Sequence, residues 1–521
     1  LLEFLKFWCK NHPDIITGWN VRFFDIPYLM NRMRFMFDND TINKMSPWNY
    51  VNADRVQMGQ KNQQFWNILG VSVLDYFELY RKFTYVRQES YKLNYIAKVE
   101  LGEEKIDNPY DTFKDFYTND YQKFVEYNIQ DVELVDRLED KMRLIELCLT
   151  MAYDFKVNYN DVYSQVRCWD TLIFNHLKKK KIVIPPREEN EKDSQYEGAY
   201  VKDPHLGLHK WIVSFDLNSL YPHLIMQYNI SPETFAGVEP KATGVENFLE
   251  ERLNLKWAKE RDVSVAPNGA LFKRDKQGFL PELMEKMYND RVIYKKKMIE
   301  AKKQFQKTKD PIYQNEIARC NNIQMAKKIS LNSAYGAIGN QYFRYFDVRQ
   351  AEAITLGGQL AIRWIEKDVN AFMNKILNTQ NVNYIVASDT DSIYLKLENL
   401  VDKVCKDKTT QQIVDFIDKA AEDKIQKVID KSFDNLAQYT NAFEQKMYMK
   451  REAIANKGIW IAKKRYILNM FDEEGIRYEY PKLKVMGVEA VKSSTPEVCR
   501  GKIKDAIRVI MNQNEEDLIK F

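Results

Sequence analysis

The sequence predicts a multidomain α/β protein in which a sheet carries acidic residues and a basic helical hairpin is inserted between its strands. Three observations lead there. The chain has 521 residues, too many for one hydrophobic core. Strand-like runs, Trp211-Ile-Val-Ser-Phe-Asp-Leu217 and Asn383-Tyr-Ile-Val-Ala-Ser-Asp-Thr-Asp-Ser-Ile-Tyr-Leu-Lys-Leu397, lie on either side of a long helical stretch. That stretch, Pro281 to Tyr335, is broken once, at Asp310-Pro311. Proline lacks an amide hydrogen and disfavours the helical conformation of the residue before it, so two antiparallel helices are expected there.

The elements follow in order. Residues 1–143 mix short apolar runs such as Ile68 to Leu74 with helical patterns such as Tyr121 to Leu149, an α/β reading. The polar, proline-containing stretch Lys178 to Asp193 reads as a solvated connection and a domain boundary. A further helix is expected from Gln411 to Asn435. Hydrophobic content of 45 % and charged content of 29 % are ordinary for a globular protein. A net charge of +4 does not by itself demand a nucleic-acid partner. The six cysteines form no CxxC, which argues against a zinc knuckle or thioredoxin motif and fits reduced thiols in a cytoplasmic setting. No apolar run is long enough to span a membrane. No P-loop, GxGxxG or nucleophile elbow is present, and His205 and His209 are flanked by helix breakers and lack the HExxH glutamate. The start at Leu1 and the end at Phe521 inside a helical pattern read as a fragment.

Asp216 ends one strand-like run, and Asp389 and Asp391 sit in Ser388-Asp-Thr-Asp-Ser392 between two others. Taken alone, the latter is a hairpin turn. Together, three aspartates at strand ends can hold a pair of hard divalent cations, which take oxygen ligands and leave room for phosphate. On the helical stretch, Arg291 and Lys295 are one turn apart, and Lys328, Asn332 and Tyr335 are spaced i, i+4, i+7. A cation, an amide, a ring and Gly336 on one face suit a triphosphate and a base pair better than a plain solvated surface does.

The set Ser214-Phe-Asp-Leu-Asn-Ser-Leu-Tyr-Pro222, Lys328-Ile-Ser-Leu-Asn-Ser-Ala-Tyr-Gly336 running on to Gly339-Asn340, and Asp389-Thr-Asp-Ser392 occurs in the order of the B-family DNA polymerases. Asn229-Ile-Ser-Pro-Glu-Thr234, Lys463-Lys-Arg-Tyr466 and Ser493-Ser-Thr-Pro496 resemble the T-even-type bacteriophage branch. Tyr196-Glu-Gly-Ala-Tyr200 resembles the family's junction between exonuclease and polymerase. The resemblance covers nearly the whole chain. It implies an α+β palm with helical fingers and a ribonuclease H-like 3′-5′ exonuclease domain.

The implied divisions are an exonuclease domain at 1–143, a connecting segment at 144–187, palm at 188–277 and 341–487, fingers at 278–340 and the start of a thumb at 488–521. The implied activity is template-directed transfer of dNTPs to a primer 3′-hydroxyl with two divalent cations, Mg2+ or Mn2+, in DNA replication. Asp216, Asp389 and the Leu217 carbonyl would be the principal metal ligands and Asp391 a support. Arg291, Lys295, Lys328 and Asn332, with Ser219 and Leu220 beside Tyr221, would hold the triphosphate, and Lys328 could protonate pyrophosphate. Tyr221 would exclude a 2′-hydroxyl, and Tyr335 and Gly336 would border the new base pair. Lys463, Lys464, Arg465 and Tyr466 would contact primer–template DNA. Clamp and replisome contacts are expected from a C-terminal region beyond this chain, and the setting would be the host-cell cytoplasm.

Gly18-Trp-Asn-Val-Arg-Phe-Phe-Asp-Ile-Pro-Tyr28 and Tyr127-Asn-Ile-Gln-Asp131 resemble the second and third exonuclease motifs. They imply Asp25 and Asp131 as metal ligands and Tyr127 as the residue orienting the attacking water. The family's first such motif, a D-x-E, is expected before Leu1, so this stretch alone is expected not to proofread. A silent DNA-binding paralogue would lack the carboxylates found here, and the insertions of a protein-primed polymerase are not recognised.

Overall fold

The computed structural model describes residues 1–58, 61–84, 87–191, 195–513 and 515–521. The chain divides into two compact units, residues 1–172 with 294–326, and residues 173–293 with 327–521.

In the first unit, strands β1 (Ile15–Ile16) and β4 (Ser72–Val73) pair in parallel, and β2 (Val51–Met58) and β3 (Lys61–Ile68) form an antiparallel hairpin. Helices supply most of the remainder. Met30, Met33, Ile42, Met45, Trp66 and Ile68 pack with Leu5 and Val21 into one core. The helical pattern from Tyr121 to Leu149 is two helices, Tyr121–Met142 and Leu144–Phe155. Arg143 between them is left-handed, at φ 55°, so it closes one helix and opens the next.

The second unit is built on a six-stranded antiparallel sheet. In chain order its strands are β5 (Gly207–Leu217), β9 (Ile385–Asp389), β10 (Ser392–Lys396), β11 (Met449–Ala462), β12 (Arg465–Glu473) and β13 (Ile476–Met486), and in space they run β13-β12-β11-β5-β10-β9. A smaller sheet holds β6 (Phe235–Thr243), β8 (Asn268–Lys273) and β7 (Val263–Val265) in that order. The burial of β5 reads exposed to buried along its length, with Ile212, Val213 and Phe215 at 1 % exposure or less. The strand is therefore central where it approaches Asp216, as expected of an apolar run flanked on both sides by other strands.

The broken helical stretch is two helices, Phe279–Thr308 and Pro311–Ile338, as the Asp310-Pro311 signal predicts. Each runs through both compact units. The helix expected from Gln411 to Asn435 runs from Thr410 to Tyr439 with a π-helical turn at Ala421–Ile425. The connection expected from Lys178 to Asp193 is irregular past Lys179, and its last two residues, Lys192 and Asp193, lie outside the described residues.

Two glycines of the long helix Val348–Leu377 carry a packing role. A Cβ on Gly357 would lie 3.4 Å from Leu224 and Tyr228, and one on Gly358 would lie 3.3 Å from Leu220 and 3.6 Å from Tyr221. Glycine at these positions lets this helix pack closely against the helix Leu220–Tyr228. Among the described residues, no helix is long and apolar enough to cross a membrane.

Candidate active sites

Sheet register brings the three aspartates of the second unit together. Asp216 on β5 is paired with Ser392 on β10, and Ser392 is paired with Asp389 on β9. Asp391 lies in the turn between β9 and β10, and its carbonyl accepts the Leu217 amide at 2.8 Å. Burial pushes the Asp216 carboxyl up to about 7, with the charges of Asp391 and Glu452 adding to it. Burial likewise pushes Asp391 up to about 6, with Asp389 and Glu452 as the charged contributors. Two desolvated carboxylates that repel each other are a donor set short of positive charge, which is what a hard divalent cation supplies.

Asp389 differs from them. Its Oδ1 lies 2.6 Å from Lys464 Nζ. Lys464 sits in the tight turn between β11 and β12 at φ 59°, and a Cβ on the neighbouring Gly487 would collide with its carbonyl oxygen. Among the described residues, no group of three or more His, Cys, Asp and Glu side chains stands ready to hold a metal ion. The site consists of a half-buried carboxylate pair, Asp216 and Asp391, beside a carboxylate already paired with an ammonium. Glu452, not singled out from sequence, completes the local charge. It accepts from Ser214 Oγ at 3.1 Å and pairs with Lys484 Nζ at 2.7 Å. Nothing in the local sequence marks it, and only the register between β5 and β11 reveals its place.

The turn after β5 opens the helix Leu220–Tyr228. Ser219 is left-handed at φ 51°, and its Oγ accepts from Arg291 Nη1 at 3.1 Å. Arg291 is half-buried, its Nε finds no partner, and burial lowers its affinity for its proton. Leu217 and Leu220 are buried in the packing below. Lys328 is half-buried, while Asn332 and Gly336 are exposed on the same helix. Lys295, one turn beyond Arg291, is exposed and belongs to the first unit.

Tyr221 and Tyr335 face each other with ring centroids 4.6 Å apart and planes tilted by 38°. The Tyr335 hydroxyl donates to Tyr196 Oη at 3.3 Å, and a Cβ on Gly339 would collide with that same oxygen. Burial raises the hydroxyl pKa of both Tyr221 and Tyr335, so both rings are neutral. Tyr196 was read only as part of a junction, and the structure adds it to this aromatic group.

Of the four residues from Lys463 to Tyr466, Lys463 and Lys464 are exposed, Arg465 is half-buried and Tyr466 is buried. Lys463 Nζ pairs with Asp203 at 3.0 Å and Arg465 with Glu489 at 2.6 Å. Tyr466 is 6 % exposed, stacks on Trp460 and shares a 2.8 Å hydroxyl contact with Tyr394. His205 and His209, set aside from sequence, are joined by a bond from the His209 ring to the His205 carbonyl.

The first unit holds the second group of residues. Asp25 is at the first turn of the helix Asp25–Met36, and Tyr127 and Asp131 share the helix Tyr121–Met142. Asp25 and Asp131 line one cavity of about 950 Å³. Burial raises the Asp25 carboxyl, and Asp131 Oδ1 is buried without a hydrogen-bond partner. Lys105 lines the same cavity and was not foreseen. Its Nζ is 2.6 Å from Asp131 Oδ2 and 4.7 Å from the centre of the Tyr127 ring. Burial works against its charge, and the bonds to Asp131 and Tyr127 more than offset that. Beneath the Gly18–Asp25 loop, the fully buried Asp75 accepts the amides of Asn20, Arg22 and Phe77 at 2.9–3.0 Å.

Comparison with known proteins identifies the family. The model of "DNA polymerase family B" matches residues 162–520, and that of "DNA polymerase family B, exonuclease domain" matches residues 1–96. The DNA-directed DNA polymerase of Escherichia phage RB69 is 36 % identical over 99 % of this chain and 62 % of the relative. That of Enterobacteria phage T4 is 33 % identical over 100 % of this chain and 63 % of the relative. The DNA polymerase delta catalytic subunit of Drosophila melanogaster is 27 % identical over 73 % of this chain and 34 % of the relative. The chain thus spans somewhat under two thirds of the phage relatives, and it belongs to DNA polymerase family B.

Proposed function

We propose that this chain carries the nucleotidyl-transfer centre of a replicative DNA-directed DNA polymerase, with an associated 3′-5′ exonuclease domain in the first unit. The observation that carries the reading is the half-buried pair Asp216 and Asp391, at a strand end and in the adjoining turn, within a chain of this family. Primer–template DNA and dNTPs are the substrates. Contacts with a sliding clamp and other replisome proteins belong to the whole protein.

Asp216 and Asp391, with the Leu217 carbonyl, would hold divalent cations, Mg2+ or Mn2+. Bound there, a pair of such cations activates the primer 3′-hydroxyl and neutralises charge on the leaving pyrophosphate. This reverses the sequence-based ranking of the two turn aspartates, because Asp389 is engaged by Lys464 whereas Asp391 shares its burial with Asp216. Lys464 is placed to move from Asp389 to the primer end. Tyr466 would act by stiffening that turn from the core.

Arg291 brings a guanidinium beside the turn at Ser219, where a triphosphate would meet backbone amides at the start of a helix. Lys328 and Asn332 extend that polar row, with Lys295 one turn beyond Arg291. Lys328 is a cation able to give a proton to pyrophosphate. Tyr221, packed against Tyr335 and near Gly358, would lie against the sugar and exclude a 2′-hydroxyl. Tyr335 and Gly336 then border the nascent pair. In the first unit, Asp25 and Asp131 would bind metal, and Tyr127 would orient water.

Single-nucleotide insertion on a 5′-labelled primer–template, at low salt with excess Mg2+, tests the reading. Insertion that follows the template base and disappears in Asp391→Ala supports it. DNA binding without insertion in the wild-type chain would instead favour a silent DNA-binding relative.

A further inference from the structure

We propose that the ion pair Lys202–Glu366 is a positioning device for the Asp389-Thr390-Asp391 turn. Through this turn it sets the affinity of the site for divalent cations. The inference rests on the reading of Asp216 and Asp391 as metal ligands, and it concerns residues outside that ligand set.

The turn needs outside support. Thr390 stands at φ 60°, a left-handed conformation that β-branched residues rarely adopt. What holds it is the segment from Tyr200 to His205, which runs along β9 without joining the sheet as a full strand. The Thr390 amide donates to the Tyr200 carbonyl at 2.9 Å, the Lys202 amide to Ser388 at 3.0 Å and the His205 amide to Val386 at 2.9 Å. Val201 and Asp389 form an isolated antiparallel bridge. The backbone of both aspartates therefore depends on where this segment lies.

The segment is located in turn by one face of the helix Val348–Leu377. Gln359, Arg363 and Glu366 are spaced i, i+4, i+7. Gln359 donates to the Gly198 carbonyl at 2.7 Å. The Arg363 guanidinium lies 5.2 Å from the centre of the Tyr200 ring. Glu366 pairs with Lys202, and both side chains are largely buried, at 16 % and 10 % exposure. Its second oxygen lies 3.5 Å from the hydroxyl of Ser388, the residue before Asp389. A buried ion pair is an inefficient way to add stability, because desolvation cancels most of the attraction. It does fix geometry, since neither partner can leave the other uncompensated.

The same helix carries Gly358 against Tyr221. A displacement of the helix would therefore reach the sugar side of the site, whereas a displacement of the segment alone would reach only the carboxylate turn. That difference makes the proposal testable. Lys202→Met, Glu366→Gln and the double variant Lys202→Met/Glu366→Leu are compared with wild type by direct binding of Mn2+ to the DNA-free protein, followed by electron paramagnetic resonance. Single-turnover insertion is measured alongside. Loss of an outer partner of a metal site costs about 10–100-fold in metal affinity or rate.

The expected result is Mn2+ binding weakened about ten-fold or more in Lys202→Met, with partial recovery in the double variant, where no buried charge is left alone. Nucleotide KM and ribonucleotide discrimination should stay at wild-type values. Lys202→Arg, which keeps the charge, should retain most of the metal affinity. Unchanged Mn2+ affinity in folded Lys202→Met would overturn the proposal. So would parallel losses in metal binding and sugar discrimination, which would point to general disorder of the helix. If wild-type protein binds Mn2+ but inserts no nucleotide, the functional reading fails and the positioning claim is still decided by the binding data.

Discussion

The two sites solve one problem in different ways. Each offers aspartates, and in each one aspartate is paired with a lysine at 2.6 Å, Asp131 with Lys105 and Asp389 with Lys464. In the second unit the carboxylates lie at strand ends and in the turn between two neighbouring strands, so strand register brings them together and the segment beside β9 holds the turn. In the first unit they come from two helices around a cavity of about 950 Å³, and their spacing depends on how those helices pack. The sheet gives a half-buried pair whose charges repel, and helices give a roomier site in which a lysine reaches both the acid and the ring of Tyr127. The first arrangement suits a reaction that needs the same geometry at every turnover. The second leaves space for a strand end to enter and leave.

The largest effect that would break this contrast is in the strand-end pair. Asp216→Ala and Asp391→Ala should each lower single-turnover insertion by roughly 10³-fold while leaving the fold intact, because a group aimed at developing charge is lost. Asp389→Ala should cost clearly less than Asp391→Ala. Equal losses would mean that Lys464 releases Asp389 to the metals and that all three acids act alike. Rapid-quench kinetics on the three variants decides between these outcomes.

The next effect concerns selectivity. Tyr221→Ala should reduce discrimination against ribonucleotides by roughly 10²-fold, read as the ratio of kcat/KM for dNTP and rNTP. Retained discrimination would remove the gate role and leave Tyr221 as packing for Tyr335 and Gly358.

These residues also mark what sequence could and could not reveal. Their places beside strand-like runs exposed Asp216, Asp389 and Asp391, and the resemblance to family motifs exposed Tyr127 with Asp131. The break at Asp310-Pro311 was legible because proline has a local, one-residue effect. Glu452, Lys105, Asp75 and Tyr196 were not legible, since each reaches its site through tertiary pairing across 20 residues or more of chain. Nothing in the local pattern of Gly102-Glu-Glu-Lys105 distinguishes a lysine in a cavity from one in solvent. The order proposed for Asp389 and Asp391 was hidden for the same reason. It depends on Lys464, which is 75 residues from Asp389 along the chain. The break at Arg143 escaped because a left-handed arginine has no signature in an amphipathic pattern.

The two lysines sharpen the comparison at smaller scale. The Lys464 side chain is 61 % exposed, whereas Lys105 and Asp131 are 23 % and 24 % exposed. An exposed pair is worth little and is screened by salt, so Lys464→Met should tighten Tb3+ binding at the second unit by no more than about five-fold. Lys105→Met leaves Asp131 partly buried and without its counter-charge, so Tb3+ binding at the first unit should tighten by more, about ten-fold. Luminescence titration at two salt concentrations reads both. A larger effect at Lys464 would reverse the ranking of the sites.

The smallest effect is a pH dependence in the first unit. Burial pushes the Asp75 carboxyl up to about 6 from an ordinary 3.8, even though it accepts three backbone amides. The folded chain therefore holds this proton more firmly than the unfolded chain does. Stability from this group is fully present below about 4, falls as pH rises, and is lost above about 6, by about 3 kcal/mol at most. Asp75→Asn cannot titrate, so the difference in unfolding free energy between wild type and variant should shrink over that window. Chemical denaturation at pH 4 and at pH 7 measures it. A constant difference would mean that the three amides keep Asp75 ionised throughout. The loop carrying Asp25 would then be fixed by a permanent charge, much as the turn carrying Asp389 is fixed by Lys202 and Glu366. A shrinking difference would instead mean that the first unit fixes its loop with an acid that holds its proton up to about pH 6, and the helical site would be the more sensitive of the two to mild changes of pH.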